Sequence, residues 1–150
     1  MEAVLLIGIP ASGKSTFYQT YFAGTHVRIN LDTLKTRSRE DALLKACLES
    51  HRPFVVDNTN VQVRERRKYI QAAQLAGYRV IGYYFTTNLK EALERNLQRS
   101  GKERIPPHGV IARYRILEPP RLAEGFDELF EVQITENGGY EVKKVHKAPS

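Results

Sequence analysis

One segment near the start of the chain indicates its fold: Gly8-Ile9-Pro10-Ala11-Ser12-Gly13-Lys14-Ser15. It matches the pattern G-x-x-x-x-G-K-[ST] at every fixed position. An apolar run at residues 3–7, typical of a β-strand, precedes it, and residues 16–22, which we expect to be helical, follow it. Because a strand, a glycine-containing loop and a helix form the context in which this pattern binds phosphate, we predict a phosphate-binding loop rather than a chance match in a glycine turn.

The chemistry of this loop suits a nucleoside triphosphate. Glycines allow successive backbone N–H groups to converge on anionic oxygens, and the N-terminus of the following helix adds a partial positive charge. Lys14 would reach the β- and γ-phosphates of ATP, and the Ser15 hydroxyl would hold Mg²⁺. The predicted nucleotide contacts are Gly8, Ile9, Pro10, Ala11, Ser12, Gly13, Lys14, Ser15 and Thr16.

Composition limits the class of protein. A length of 150 residues, with 41% hydrophobic and 27% charged residues, predicts one globular domain spanning residues 1–150. The single cysteine, Cys47, excludes an intrachain disulfide and suits a reducing compartment, so we expect an intracellular, cytoplasmic location. The start lacks the basic region of a signal peptide, and no run approaches the roughly 20 apolar residues of a membrane span. The oligomeric state is left open.

The positive charge of the chain is uneven. The net charge is +6, yet residues 64–115 contain twelve Lys and Arg against four Asp and Glu, whereas the rest contains eleven against thirteen. Such a basic stretch is either a solvated surface or a face that binds phosphates. The phosphate-binding loop upstream favours the second interpretation.

The remaining segments alternate between strand and helix. Further strands are predicted at residues 26–29, 54–56, 79–85 and 129–134, and helices at residues 34–49 with a break near Ser38, 64–76, 88–100 and 110–117. A basic, proline-containing lid is expected at about residues 99–107, and a C-terminal hairpin turns at residues 137–139. The pattern predicts an α/β P-loop fold with a mostly parallel five-stranded sheet flanked by helices.

Two carboxylates follow predicted strands, at the edge of the sheet where ligands bind. Asp32 can accept a proton from an acceptor hydroxyl, or it can cap the next helix. Asp57 can bind Mg²⁺ or its water, or it can form an Asx-turn. Both alternatives stay open for each residue.

Arginines near the lid are candidates for stabilising transferred charge. Arg95 and Arg99 are spaced i, i+4 on one predicted helix, and Arg99 directly precedes the loop that contains Lys102 and Arg104. An arginine delivered by a lid can stabilise a transferring phosphate. A solvated helix face is the competing interpretation for Arg95, Lys102 and Arg104.

Four pieces of the sequence carry a family resemblance: residues 13–17, residues 32–34, Asp57-Asn58-Thr59-Asn60 and Leu122-Ala123-Glu124-Gly125-Phe126. Because it contains these pieces in this order, the chain resembles the P-loop polynucleotide 5′-kinases. It is most similar to the kinase domain of bifunctional polynucleotide kinase-phosphatases, and less so to the phage-type kinase. The first piece is common to many kinases, whereas the last two are far more specific.

The resemblance implies transfer of the ATP γ-phosphate to the 5′-hydroxyl end of DNA or RNA. It implies that Lys14 and Ser15 bind ATP and Mg²⁺, that Asp32 is the general base and that Arg99 is the lid arginine. Leu31 stands where the family often has an arginine, and Lys35 stands where the phage-type kinase has an acceptor-binding arginine. Arg37 or Arg39 could take over the role of that acceptor-binding arginine. The candidate acceptor-binding residues are Lys35, Arg37, Asn60 and Arg64. The sequence has no Asp-x-Asp-x-Thr signature, so we do not expect 3′-phosphatase activity of this chain.

Two other functions remain open. A kinase for a small molecule or nucleoside would share the loop but would not need the basic stretch around the lid. A nucleotide-binding switch or ATPase module would share the loop but would not need Asp32 as a base.

Overall fold

The computed structural model describes residues 1–101 and 104–146, in which one six-stranded sheet has the order β2-β3-β1-β4-β5-β6. The strands are β1 (Glu2–Ile7), β2 (Val27–Ile29), β3 (Phe54–Asp57), β4 (Arg79–Phe85), β5 (Glu128–Ile134) and β6 (Tyr140–Lys144). β1 to β5 are parallel, and β6 runs antiparallel to β5. The predicted α/β P-loop fold is confirmed, but the count of five strands is wrong, because the second strand of the C-terminal hairpin pairs with β5 and extends the sheet.

The core lies on both faces of the central strand β1. Alternate side chains of a strand point to opposite faces, and residues 3–7 are all buried. One face packs against α3 (Arg37–Ser50) and α4 (Val63–Leu75), and the other packs against α1 (Lys14–Tyr21). A strand buried on both faces requires a continuous apolar run, which is the pattern that the sequence shows.

The helix predicted at residues 34–49 is divided in two. A four-residue helix, α2 (Leu31–Leu34), ends at Lys35, whose φ of 78° takes the chain out of the helix. Thr36 then caps α3 by accepting the N–H of Arg39 at 3.2 Å. The break therefore lies at residues 35–36, before the expected Ser38.

The last two helices form a separate cluster with the start of the phosphate-binding loop. α5 (Leu89–Gln98) and α6 (Pro107–Ile116) bury Ala92 and Val110 against Ile9 and Val61. α6 begins three residues before the predicted start, since proline is favoured at the first position of a helix. The side chain of Asn96 on α5 hydrogen-bonds both the N–H and the C=O of Ile105, which lies in the connection before α6. Part of the predicted lid, including Lys102, lies outside the described residues.

No helix within residues 1–101 and 104–146 has both the length and the apolar character that crossing a membrane requires.

Candidate functional site

The loop between β1 and α1 has the backbone that an anion-binding turn needs. Ala11 and Gly13 have positive φ values of 65° and 96°. A Cβ on Gly8 would lie 2.8 Å from Ser12 Oγ and 3.0 Å from Phe85 Cβ, so only glycine fits there. The Gly8 N–H donates to the carbonyl of Thr59 at 2.9 Å, which ties the loop to the segment after β3. This conformation presents backbone N–H groups to a bound phosphate.

Lys14 lies folded into this loop. Its side chain is buried, and Nζ donates to the Gly8 carbonyl at 2.8 Å, the Ile9 carbonyl at 2.9 Å and Ser12 Oγ at 3.3 Å. Burial lowers the pKa of Lys14 from 10.5 to about 8, with Asp57 and Asp32 opposing the shift and Arg99 adding to it. An arriving phosphate favours the charged amine, so nucleotide binding and protonation of Lys14 are coupled.

The predicted metal ligands lie side by side. Ser15 Oγ donates to Asp57 Oδ2 at 3.0 Å, and Asp57 is buried at the end of β3. An alcohol and one carboxylate are hard oxygen donors of the kind that bind Mg²⁺ together with phosphates and water, so the pair fits this ion. No group of three or more His, Cys, Asp and Glu side chains in the described part of the chain is arranged to hold a metal. A metal here would therefore depend on the nucleotide for further ligands.

Arg28 completes this pair, and the sequence analysis missed it. From β2, its Nε donates to Asp57 Oδ2 at 2.8 Å and its Nη2 donates to Ser15 Oγ at 2.9 Å. The guanidinium therefore lies against both predicted metal ligands. The available signal was a charged residue in the middle of a short buried-type strand, but nothing local connected it to Asp57.

Asp32 is exposed in the first turn of α2, and its charge acts on Lys14. The alternative that it caps the helix is wrong, because the N-cap is Asn30, whose Oδ1 accepts the Thr33 N–H at 3.0 Å. The Asp32 carboxylate therefore does not cap α2, and its charge acts on Lys14 of the phosphate-binding loop. This geometry suits a group that takes a proton from a hydroxyl placed near the γ-phosphate.

Arg99 follows α5 rather than lying on it. It is the C-cap residue and has an extended backbone, so the expectation that Arg95 and Arg99 share one helix face is wrong. The charge of Arg99 nevertheless acts on Lys14, which places it near the loop. Within the described residues, Arg95 Nη1 is a buried nitrogen without a hydrogen-bond partner. The charge of Arg95 acts on Tyr140, whose OH donates to the Gly13 carbonyl at 3.2 Å.

The predicted acceptor contacts differ in their accessibility. Lys35, Arg37 and Arg64 are exposed. Arg37 bonds Glu40 at 3.0 Å, and Arg64 bonds the side chain of Gln62. Asn60 is instead 2% exposed and donates to the Leu6 carbonyl at 2.8 Å, so its expected contact with the acceptor is not supported.

Some cations of the basic stretch at residues 64–115 form ion pairs within the protein. Arg66 is fully buried and bonds both carboxylate oxygens of Glu124, at 2.8 and 3.0 Å, and the Asn60 carbonyl at 2.8 Å. This contact joins two of the segments that carry the family resemblance, residues 57–60 and 122–126. Lys68 pairs with Asp41, and Arg113 pairs with Glu65. Arg66 is therefore excluded from a phosphate-binding face.

Comparison with known sequences gives a family and partial relatives. The model of a family described as an AAA domain, AAA_33, matches residues 36–116, more than half of the chain. A bifunctional polynucleotide phosphatase/kinase of Schizosaccharomyces pombe is 27% identical over 135 residues, which cover 87% of this chain and 33% of that protein. A putative bifunctional polynucleotide phosphatase/kinase of Acanthamoeba polyphaga mimivirus is 35% identical over 78 residues, covering 51% and 18%. The resemblance to this group is confirmed, although the chain spans a third or less of these relatives.

Solved structures share the fold at lower identity. A gluconokinase from Sinorhizobium meliloti 1021 has a TM-score of 0.63 and 20% identity, covering 90% of this chain and 83% of that one. Chaetomium thermophilum Kti12 in complex with ADP-AlF3 has a TM-score of 0.70 and 18% identity, covering 91% and 92%. These likenesses support the P-loop kinase fold and leave the acceptor open.

Proposed function

The chain belongs to the AAA_33 family, described as an AAA domain, and from this premise we propose that it transfers the γ-phosphate of ATP to the 5′-hydroxyl end of DNA or RNA. The observation that carries the proposal is that Asp32, in the first turn of α2, is close enough for its charge to act on the buried Lys14 amine of the phosphate-binding loop. The similarity to a polynucleotide phosphatase/kinase across 87% of the chain supports the choice of acceptor. We treat residues 1–150 as one catalytic domain.

ATP binds in the loop through backbone N–H groups of residues 8–16 and through Lys14. On binding, the Lys14 amine leaves the carbonyls of Gly8 and Ile9, which it contacts in this structure, and turns to the β- and γ-phosphates. Ser15 and Asp57 would hold Mg²⁺, which when bound neutralises phosphate charge. Ser12 and Thr16 flank the phosphates on either side of the lysine.

Asp32 acts on the acceptor. Its carboxylate accepts the proton of the 5′-hydroxyl as that oxygen forms a bond to the γ-phosphorus. The bond from the γ-phosphorus to the bridging oxygen of ADP breaks, and ADP leaves with that electron pair. The products are ADP and a 5′-phosphorylated end, and the proton passes from Asp32 to water.

Arg99 stabilises the transferring phosphate from the lid. Its guanidinium follows the end of α5 and its charge acts on Lys14, so it can stabilise negative charge on a phosphate held by the loop. Lys35, Arg37 and Arg64 are the exposed cations that would contact phosphates of the acceptor strand.

The test compares acceptors directly. Labelled γ-phosphate ATP is supplied with 5′-hydroxyl oligonucleotides of DNA and RNA, and in parallel with nucleosides, sugars and gluconate. We expect efficient transfer to the oligonucleotides alone. Gluconate belongs in the panel because a gluconokinase shares the fold. Preferred transfer to gluconate, a sugar or a nucleoside would replace the proposal with a small-molecule kinase, and hydrolysis without transfer would replace it with an ATPase.

A further inference from the structure

Glu40 is a buried carboxylate to which the proposed reaction gives no role. Its side chain is 0% exposed on α3. Oε1 accepts Tyr69 OH at 2.6 Å and Arg37 Nη1 at 3.0 Å, and Oε2 accepts Asn58 Nδ2 at 2.9 Å. Burial raises the pKa of Glu40, but hydrogen bonds from Tyr69 and Asn58 and the charge of Arg37 outweigh it and hold the pKa below its ordinary value. Glu40 is therefore ionised and can only accept hydrogen bonds.

Because Glu40 can only accept hydrogen bonds, it fixes the orientation of the Asn58 side-chain amide. An amide has a donor end and an acceptor end, and only the donor end can face a carboxylate. With Nδ2 on Glu40, Oδ1 points the other way and accepts the Leu31 N–H at 2.9 Å. The inverted amide would bring its NH₂ group against the Leu31 N–H, which places two donors together.

The Leu31 N–H is the point at which this network reaches the site. Leu31 begins α2, and the first N–H groups of a helix have no partner within it. A further restraint on this turn is Asn30, whose Nδ2 donates to the Asp57 carbonyl at 2.5 Å. Because Asp32 is exposed, its position is set through the backbone of α2 rather than by packing of its own side chain.

We propose that Glu40 is a positioning residue for the phosphoryl transfer: it fixes the Asn58 amide, which holds the α2 turn that carries Asp32. The inference rests on the proposed function for the role of Asp32, whereas the link from Glu40 to α2 rests on the contacts alone. The polar contacts of Glu40 are with Arg37, Asn58, Tyr69 and Lys68, none of which lies in the phosphate-binding loop.

The test variant is Glu40→Gln, with the same shape and no charge. Arg37 and Tyr69 both donate to this side chain, so the glutamine keeps its oxygen toward them and turns its NH₂ group toward Asn58. The Asn58 amide then inverts and releases Leu31. We expect kcat to fall by about tenfold, as misplacement of a reacting group does, with the KM for ATP unchanged. Hydrogen exchange at the Leu31 amide should become faster.

A rescue separates positioning from general stability. In the double variant Glu40→Gln with Asn58→Asp, the glutamine NH₂ group donates to one carboxylate oxygen and the other accepts the Leu31 N–H. We expect it to regain most of kcat and the slow exchange at Leu31. Glu49→Gln is the matched control, because Glu49 is an exposed carboxylate on the same helix, and we expect it to behave as the wild type.

The outcomes decide the proposal. Wild-type kcat and Leu31 exchange in Glu40→Gln would overturn it, as would a double variant that recovers neither. If Glu40→Gln does not fold, Asn58→Ala tests the link through which Glu40 would act, because it removes the hydrogen-bond acceptor of the Leu31 N–H, and wild-type kcat in this variant would overturn the proposal. If the wild type phosphorylates no oligonucleotide, the proposed function fails, and exchange at Leu31 still supports or overturns the link from Glu40 to α2.

Discussion

Arg28 donates from Nε to Asp57 Oδ2 at 2.8 Å, across residues that are 29 apart in the sequence. It thereby places a guanidinium on the carboxylate that the proposed function assigns to Mg²⁺. A side-chain cation and a metal ion at one carboxylate repel each other, so binding of the metal requires Arg28 to move away. The guanidinium carbon of Arg28 also lies over the ring of Tyr18, 5.8 Å from its centre.

Removal of this charge should lower the Mg²⁺ concentration that nucleotide binding requires. Arg28→Met removes the competing cation and keeps an unbranched side chain. We expect the Mg²⁺ concentration that half-saturates ATP binding to fall by on the order of tenfold, and to fall much less in Arg28→Lys. Calorimetric titration of ATP at a series of Mg²⁺ concentrations measures this. Arg52→Met, an exposed arginine before β3, is the control, and an unchanged Mg²⁺ requirement in Arg28→Met would show that Arg28 does not compete.

Lys14→Met should abolish turnover while the fold persists, because the residue is the cation that faces the β- and γ-phosphates. Folding is checked by circular dichroism and turnover by the labelled-ATP assay. A folded Lys14→Met protein with wild-type turnover would remove the loop from the site.

The same variant has a pH signature. The pKa of Lys14 is about 8 in the fold and 10.5 in the unfolded chain, so the unfolded chain binds more protons between these values. The cost of burying the charged amine is present below pH 8 and disappears as the pH rises toward 10.5. Relative to Lys14→Met, the wild type without nucleotide should gain up to about 3 kcal/mol of stability between pH 7 and 10.5. Urea unfolding of both proteins measures this, and a constant difference would contradict it.

Asp32→Asn should lose catalysis and keep ATP binding. The substitution removes the proton acceptor, and Asn30 still caps α2. We expect kcat to fall by roughly 10²–10⁴-fold with a nearly unchanged affinity for ATP. Asp41→Asn, which alters an exposed carboxylate on α3, should retain activity. If Asp32→Asn works as fast as the wild type, the base lies elsewhere.

Arg99 should depend on its shape as well as its charge. A planar guanidinium can donate two parallel hydrogen bonds to phosphate, whereas an ammonium cannot. We expect Arg99→Lys to lower kcat clearly and Arg99→Ala to lower it further. Arg79→Lys, at an exposed arginine paired with Glu128, is the control. Wild-type rates in Arg99→Ala would exclude this residue from the reaction.

Binding of the acceptor should weaken with salt. A single strand that releases counterions at each neutralised phosphate gives a slope of about −0.7 per contact in log K against log salt. We expect the KM for an oligonucleotide to rise with NaCl and to fall as the strand lengthens. Arg64→Ala should reduce the slope by about 0.7, whereas Lys45→Ala, on α3, should not. A slope near zero in the wild type would favour a small acceptor.

Local patterns were sufficient for the phosphate-binding loop, the class of the fold and the placement of three chain segments at one edge of the sheet. Each of these depends on residues adjacent in the sequence: an apolar run, glycines that permit positive φ, and side chains that follow a strand. Because the carboxyl ends of parallel strands meet at one edge, Asp32 and Asp57 could be expected near Lys14 without any coordinates.

Contacts between distant residues could not be predicted in this way. Strand pairing brings Arg28 onto Asp57. Asn60, a predicted acceptor contact, and Arg66, part of the basic stretch, are both buried. The local turn pattern predicted the C-terminal hairpin, but not that its second strand, β6, would become the sixth strand of the main sheet by pairing with β5. A charged or amide side chain is equally compatible with solvent and with a buried partner, and only the packing of elements far apart in the chain provides that partner.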